Sequence, residues 1–154
     1  MRKIINIALV LALLAGLCIP AFAAGKTFTD VPAGNWAYSF VQRAADQGWV
    51  SGVGGGRYSP NSHVTYSQFA VMLGNAIYPS DMAAQAKTGQ WWEPACSVAA
   101  QHGLWADTDM QNRPAWNSVA NKAIPREQMA QVMYNALVDV GAKLPSYEEY
   151  SEVA

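Results

Sequence analysis

The sequence has few of the residues from which catalytic and metal sites are built. Its histidines are His63 and His102, and its cysteines are Cys18 and Cys96. None of the spacings typical of a serine hydrolase, a zinc protease or a phosphate-binding loop occurs in it. We therefore expect a protein without catalytic activity, cofactor or metal. The alternative is a small hydrolase with a carboxylate pair drawn from the segment 107–127.

Charge is also scarce, since Asp, Glu, Lys and Arg together make up 14% of the chain. Residues 1–23 hold two of the ten basic residues and none of the eleven acidic ones, so the net charge of −1 becomes −3 without them. The other Lys and Arg residues are spread singly. Nucleic-acid binding without sequence preference and polybasic membrane association both need clustered positive charge, so we expect neither.

Long apolar runs are missing beyond the N-terminus. Arg2 and Lys3 precede a run of apolar and small residues over 4–17, and 21–23 reads Ala-Phe-Ala. A basic start, an apolar stretch and a small-x-small site are typical of a secretory signal peptide, and the run is too short to span a bilayer comfortably. We predict a signal peptide over 1–23 and an exported protein whose mature part has no membrane span.

One thiol, Cys96, remains after the signal peptide, so the mature chain cannot form an internal disulfide. A single cysteine in an exported protein has two interpretations. It is either a buried small apolar residue or one half of an intermolecular disulfide.

The mature sequence matches itself in two blocks. Residues 36–49 align with 91–104 at an offset of 55, and residues 64–77 align with 124–137 at an offset of 60. The connecting loop is therefore five residues longer in the second copy. Repeats of this length cannot bury their apolar faces alone and pack on a neighbour.

These matches predict the domain organisation. We assign a first repeat to 24–80, a divergent second repeat to 81–140 and a C-terminal tail to 141–154. The last five residues of the tail loosely resemble 28–32, so the tail is a candidate start of a third repeat.

Each copy has the pattern of a helix, a loop and a second helix, which predicts a mainly α fold. In copy one, apolar residues at helical spacing start at Trp36, and Gly48 supplies a stop. Thr65 and Gln68 form a capping box at the start of the second helix. An apolar stripe is predicted along this helix in each copy: Phe69, Met72, Leu73, Ala76 and Ile77, then Met129, Val132, Met133, Ala136 and Leu137.

The two loops differ in composition. The copy-one loop, 51–61, is rich in glycine, and we expect Tyr58 and Pro60 to fasten it to the body of the protein. The copy-two loop, 106–117, is more polar and has no glycine.

The order of these pieces resembles a known motif. Phe28-Thr-Asp-Val with Trp36-Ala, then Gly48 to Gly52, Gly56 to Pro60, and Val64-Thr65 opening a helix, is similar to the S-layer homology motif. The resemblance is good over 28–78 and looser over 89–138.

This resemblance implies a fold and a function. Three such motifs usually assemble into a helical, pseudo-threefold unit with glycan grooves between the repeats. Members of the family hold exported bacterial proteins at the cell surface by binding secondary cell-wall polysaccharides, which often carry pyruvyl groups. Because two repeats are evident here, the resemblance implies either a partial set of grooves or completion by a second copy of the chain.

The resemblance also implies site residues. Asp30, Trp36 and Gly52 in copy one, with Trp91 and Arg126 in copy two, occupy positions that contact ligand in the family. The residues themselves leave alternatives open. Trp36 and Trp91 could pack in the core, Asp30 could cap a local turn, and Arg126 could be a solvated residue.

Copy one departs from the family at its arginine position, which is Tyr66. A guanidinium matches a carboxylate with two parallel N–H donors, so its loss should weaken binding of an acidic glycan. The alternative function is a structural, self-associating envelope protein that kept the fold and lost most glycan binding. Its interface would use aromatic residues expected at the surface: Trp105, Trp116, Tyr147 and Tyr150.

Overall fold

The computed structural model describes residues 26–86 and 89–143. The predicted signal peptide, most of the predicted tail, and the candidate interface residues Tyr147 and Tyr150 lie outside this part of the chain. Within it the protein is helical and has no strand, which confirms the mainly α prediction. None of the helices described has the length and hydropathy needed to cross a bilayer.

Six α-helices follow one another along the described chain. They are α1 (Tyr38–Asp46), α2 (Tyr66–Ile77), α3 (Pro79–Ala84), α4 (Glu93–Gln101), α5 (Trp116–Val119) and α6 (Arg126–Asp139). A 3-10 turn over Arg113–Ala115 leads into α5. Copy one thus supplies α1 and α2, copy two supplies α4 and α6, and the shorter helices lie in the connections.

Helix α1 begins two residues after the predicted start and ends where predicted. Gly48 follows it with a φ of +75°, the left-handed conformation that glycine adopts without steric cost. Val41 and Ala45 are buried against Phe28 and Val31 in a small core cluster. Trp36 precedes the helix and is 85% exposed.

The predicted capping box of α2 is confirmed. The Thr65 hydroxyl accepts a hydrogen bond from the Gln68 amide at 3.2 Å, and the Gln68 side chain accepts one from the Thr65 amide at 3.0 Å. The predicted apolar stripe is confirmed in part: Phe69 is buried, and Met72, Leu73 and Ile77 are half-buried against the core, but Ala76 is exposed. The face that is buried comprises Tyr66, Ser67, Phe69, Ala70 and Gly74. This buried face is turned from the predicted stripe toward α3 and α4, which cover α2.

Helix α6 is less covered than its predicted apolar stripe implies. Val132 and Ala136 are buried, but Met133 is 48% exposed and Leu137 is 40% exposed. Its N-cap residue, Pro125, makes no side-chain capping bond, as proline requires. Within the described part of the chain, the Val132 and Ala136 side of the predicted α6 stripe is covered, and the Met133 and Leu137 side is not.

Both copies contribute to one large core. Its buried residues come from α2, α4, the copy-two loop and α6. Backbone hydrogen bonds cross between the copies: the amides of Tyr66 and Ser67 donate to the carbonyls of Lys122 and Ala120 at 3.2 and 2.9 Å. The amide of Ile124 returns a bond to the carbonyl of Val64 at 2.9 Å. The start of α2 is therefore fixed to the segment that leads into α6.

Most residues of the copy-two loop are exposed, as its polar composition predicts, but Trp116 within it and Trp105 just before it pack into the core. Trp105 and Trp116 are buried, and their indole N–H groups donate to the carbonyls of Cys96 and Met110 at 3.0 and 2.8 Å. The expectation that these two tryptophans form a surface interface is therefore wrong. An indole can be buried at little cost when its N–H finds an acceptor, and both have one.

The Cys96 thiol is fully enclosed in this core. Burial, with a smaller contribution from the charge of Glu93, raises the pKa of Cys96 to about 12. A thiol that is neither accessible nor ionised does not form disulfides. The interpretation of Cys96 as a buried apolar residue therefore holds.

Candidate ligand groove

A concave surface lies between the copy-one loop and the start of copy two. It is a cavity of about 420 Å³. Its walls are the loop residues 49–53 and 58–60, the approach to α2 at 62–64, one face of α2, and Trp91. We call it the Trp49–Trp91 groove. Both copies are needed to form it, because Trp91 belongs to the second.

Asp30 fixes the wall of this groove without lining it. Its two carboxylate oxygens accept hydrogen bonds from the amides of Tyr58 and Ser59, each at 2.8 Å. The hydrogen bond from Tyr58 is the largest cause of a lowered pKa for Asp30; partial burial opposes it, and Ser59 and the charge of Arg57 reinforce it. The Arg57 guanidinium lies 3.8 Å from Asp30. Asp30 therefore anchors a loop 28 residues away, not the local turn considered from sequence.

Gly52 cannot be replaced without strain. Its φ is +78°, and a Cβ there would lie 2.5 Å from the Arg57 carbonyl oxygen and 2.6 Å from the Phe28 ring. The adjacent amide of Val53 donates to the same carbonyl at 2.8 Å. The absence of a side chain at Gly52 thus lets the Arg57 segment of the loop and the Phe28 ring approach closely. Gly52 also lines the groove.

Tyr58 fastens the loop as predicted. Its ring centroid lies 5.4 Å from that of Phe28, and it packs on the small core cluster. Pro60, the other residue expected to fasten the loop, is exposed and instead contributes to the groove wall.

Two partly exposed indoles belong to the groove. Trp91 is 60% exposed and Trp49 is 37% exposed. Core packing, the alternative considered for Trp36 and Trp91, is wrong for both. Sequence reasoning missed Trp49 as a site residue, although its place directly after Gly48 in the glycine-bounded string was a usable signal.

The remaining predicted site residues lie elsewhere. Arg126 is the exposed first residue of α6, and neither it nor Trp36 lines either of the two cavities described. Of the five predicted residues, the structure brings Gly52 and Trp91 together in one groove and places Asp30 behind its wall. Ligand contact by Arg126 and Trp36 stays a prediction.

Tyr66, at the arginine position of copy one, points into the protein. It is 1% exposed, and its hydroxyl lies 2.7 Å from Gln128 Oε1 and 3.1 Å from Asp109 Oδ2. Burial, followed by the hydrogen bond to Asp109, raises the pKa of Tyr66 to about 12. This position joins the copies and supplies no charge to a ligand.

A second concave surface of about 340 Å³ lies between α1 and α2. It is almost wholly apolar and is formed by the outward face of α1 around Phe40, by Trp49, and by Met72 and Leu73 of α2. It carries no polar group suited to orienting a ligand.

A polar cluster lies away from both concave surfaces. The two ring nitrogens of His102 lie 2.9 Å from carboxylate oxygens of Asp81 and Asp139, and the Tyr78 ring stacks on the imidazole at 3.9 Å. Burial lowers the pKa of His102, but the hydrogen bonds to Asp81 and Asp139 and their charges outweigh it, so the net change is upward. The cluster ties α3, the end of α4 and α6 together.

The groove combines aromatic faces with uncharged polar side chains. Indole rings fit the apolar C–H faces of sugars, and the short polar side chains of Ser51, Ser62, His63 and Gln68 lie among them. No group of three His, Cys, Asp or Glu residues able to hold a metal occurs in the residues described.

Comparison with known proteins agrees with this description. Residues 27–70 match the model of the S-layer homology domain. The chain is 29% identical over 140 residues to the S-layer protein sap of Bacillus anthracis and to an S-layer protein of Bacillus thuringiensis subsp. finitimus. It is 35% identical over 85 residues, or 54% of its length, to the S-layer protein EA1 of Bacillus anthracis.

The first two alignments cover 88% of this chain but 16% of each relative, and that to EA1 covers 10% of EA1. The chain thus corresponds to a small part of these proteins. No solved structure matches it significantly. Residues 27–70 thus match an S-layer homology domain, and the alignments to S-layer proteins support that family for the chain.

Proposed function

We propose that this protein is a non-catalytic module of the bacterial cell envelope that anchors at the cell surface by binding a cell-wall polysaccharide in the Trp49–Trp91 groove. The observation that carries the proposal is the groove itself, which both copies form and which two partly exposed indoles line. The S-layer relatives support the envelope location. The predicted signal peptide supports export.

In this proposal the groove residues have distinct roles. Trp49 and Trp91 stack on sugar rings, because an indole offers a large, rigid contact at low entropic cost. Gly52 and Asp30 hold the loop in the conformation that forms the wall, through the close approach and the two amide bonds described above. Binding in the groove does not require the predicted ligand contact of Arg126, which lines neither cavity described.

The direct test is a pull-down of the purified mature chain with bacterial wall sacculi, before and after extraction of their polysaccharide. We expect retention that is lost on extraction. Trp91→Ala should weaken binding about tenfold, the loss of about 1.4 kcal/mol that follows when an aromatic residue at an interface is truncated.

Trp36→Ala is the matched control, because Trp36 is the residue aligned with Trp91, is even more exposed and lines neither cavity described. The variant also tests the predicted ligand contact of Trp36: if the groove alone binds the polysaccharide, its binding should be unchanged within twofold. Retention that survives polysaccharide extraction, or equal losses in the two variants, would contradict the proposed groove.

A second candidate function is self-association as a structural envelope protein. It is favoured by the outward face of α6, where Met133, Tyr134, Leu137 and Val138 are each at least 40% exposed. Apolar surface of this kind commonly marks an interface. Light scattering over a concentration series separates the two: this candidate requires a dimer or larger assembly that Val138→Asp dissociates, whereas glycan binding by the groove leaves that variant's retention on sacculi unchanged.

A further inference from the structure

The charge of the groove walls indicates what kind of sugar they accept. Among the described residues that line the Trp49–Trp91 groove there is no Lys, Arg, Asp or Glu. The polar side-chain groups of this lining are hydroxyls, the amide of Gln68, the imidazole of His63 and the indole N–H groups of Trp49 and Trp91. Burying a charged substituent without a partner costs far more than burying a hydroxyl that finds a hydrogen bond.

The guanidinium of Arg57, which belongs to the copy-one loop, is paired with a carboxylate. Arg57 pairs with Asp30 at 3.8 Å, and its side chain is 64% exposed, outside the groove lining. Together the two residues add no net charge to this side of the loop.

The position that would bring a cation into copy one holds Tyr66, which is buried between Gln128 and Asp109. A tyrosine hydroxyl whose pKa is raised stays neutral at physiological pH, and in this orientation it does not reach the groove. The described residues that line the groove therefore provide neither the bidentate donor that recognises a carboxylate nor a cation that would compensate its charge.

Resting on the proposed function, we infer that the Trp49–Trp91 groove binds an uncharged stretch of the polysaccharide, recognised by stacking and by hydrogen bonds to hydroxyls. The groove binds this stretch whether or not neighbouring sugars carry acidic groups. Salt then has little effect on affinity, because screening acts only between charges.

The test uses polysaccharide purified from wall sacculi in two forms, native and treated with mild acid, which hydrolyses ketal-linked acids and leaves the free hydroxyls. Binding to the mature chain is measured by calorimetry at pH 8 in 50 and 500 mM NaCl. We expect the Kd to change less than about twofold between the two forms and between the two salt concentrations. Trp91→Phe should bind within about threefold of the wild type and Trp91→Ala about tenfold weaker, since the phenyl ring keeps the stacking surface.

Lys87 lies outside the described residues and is four positions before Trp91, so Lys87→Ala is measured in parallel and should bind like the wild type. Loss of binding on acid treatment, a steep salt dependence, or a loss in Lys87→Ala would overturn the inference while leaving polysaccharide binding established. Absence of binding to both forms would overturn the proposed function as well.

Discussion

The second helices of the two copies have aligned sequences but different surroundings. Helix α2 is covered by α3 and α4, whereas much of α6 faces outward. Aligned residues show the contrast: Tyr66 is buried where Arg126 is exposed, and Gly74 is buried where Tyr134 is 54% exposed. A Cβ on Gly74 would lie 2.6 Å from the sulfur of Met82, so the small residue lets α3 pack across α2. An amphipathic pattern therefore fixes a helix, while its neighbours decide how much of it is buried.

The largest effect should come from truncating this central helix. Phe69→Ala removes a buried ring from the shared core and should lower the free energy of unfolding by about 3–5 kcal/mol. Met133→Ala, on the corresponding stripe of α6, should cost less than about 1 kcal/mol because the side chain is 48% exposed. Urea unfolding followed by circular dichroism measures both. Equal losses would mean that α6 is covered as thoroughly as α2.

The copy-one loop is rich in glycine, whereas the copy-two loop has none. Two glycines of the copy-one loop, Gly52 and Gly55, differ in how closely other atoms approach them. Gly52→Ala must place an alanine at a φ of +78° and into the space of Phe28 and the Arg57 carbonyl. Gly55→Ala places an alanine at a φ of +58°, but its Cβ would have no other heavy atom within 4 Å. The left-handed backbone should cost about 1–2 kcal/mol in both variants, and the overlap should add about 1–3 kcal/mol in Gly52→Ala alone.

Unfolding midpoints and sacculus binding distinguish these glycine variants. Gly52→Ala should lose both stability and retention on sacculi, since its loop forms the groove wall. Gly55→Ala should keep its retention. If the two behaved alike, the close approach of Phe28 to the loop would not matter to the site.

Local signals in the sequence predicted local structure well. The capping box at Thr65 and Gln68 depends on residues close in sequence, and the glycine stop at Gly48 depends on backbone preference. The S-layer homology resemblance found from these same strings is confirmed by the domain match.

Burial that depends on distant partners could not be predicted from the pattern. Trp105 and Trp116 looked like surface aromatics beside and within a polar loop, yet carbonyl acceptors at Cys96 and Met110 let both be buried. Asp30 looked like a ligand or a turn cap, and its partners are 28 and 29 residues away. The groove residue Trp49 was missed because its neighbour in the site, Trp91, comes from the other copy.

A smaller effect is expected at the helix caps, where the copies again differ. Thr65→Ala removes a hydroxyl that accepts from the Gln68 amide and should cost about 1 kcal/mol. Pro125→Ala, at the aligned position of α6, removes no capping bond and should change stability by less than about 0.5 kcal/mol. Urea midpoints at one pH measure the pair. A cost for Pro125→Ala as large as that for Thr65→Ala would show that the proline constrains the entry to α6.

The smallest effect concerns pH and again separates the copies, because His102 aligns with Gln47 of copy one. Hydrogen bonds to Asp81 and Asp139 raise the pKa of His102 above its ordinary value of 6.5 against the opposing effect of burial. The folded state thus binds this proton more tightly than the unfolded state does. Its contribution to stability is complete below pH 6.5 and is lost as the pH rises through the higher folded-state pKa.

We therefore expect the unfolding midpoint of the wild type to fall between pH 6 and pH 9, and that of His102→Gln to change less over the same range. The glutamine restores in copy two the residue found in copy one and keeps one hydrogen-bond donor near the carboxylates. Tyr78 stacks on the imidazole and shares Asp139, and its raised pKa keeps it neutral across this range. A wild-type midpoint that rises over the interval would mean that the two carboxylates do not hold the imidazolium, and that α3, α4 and α6 are joined by packing alone.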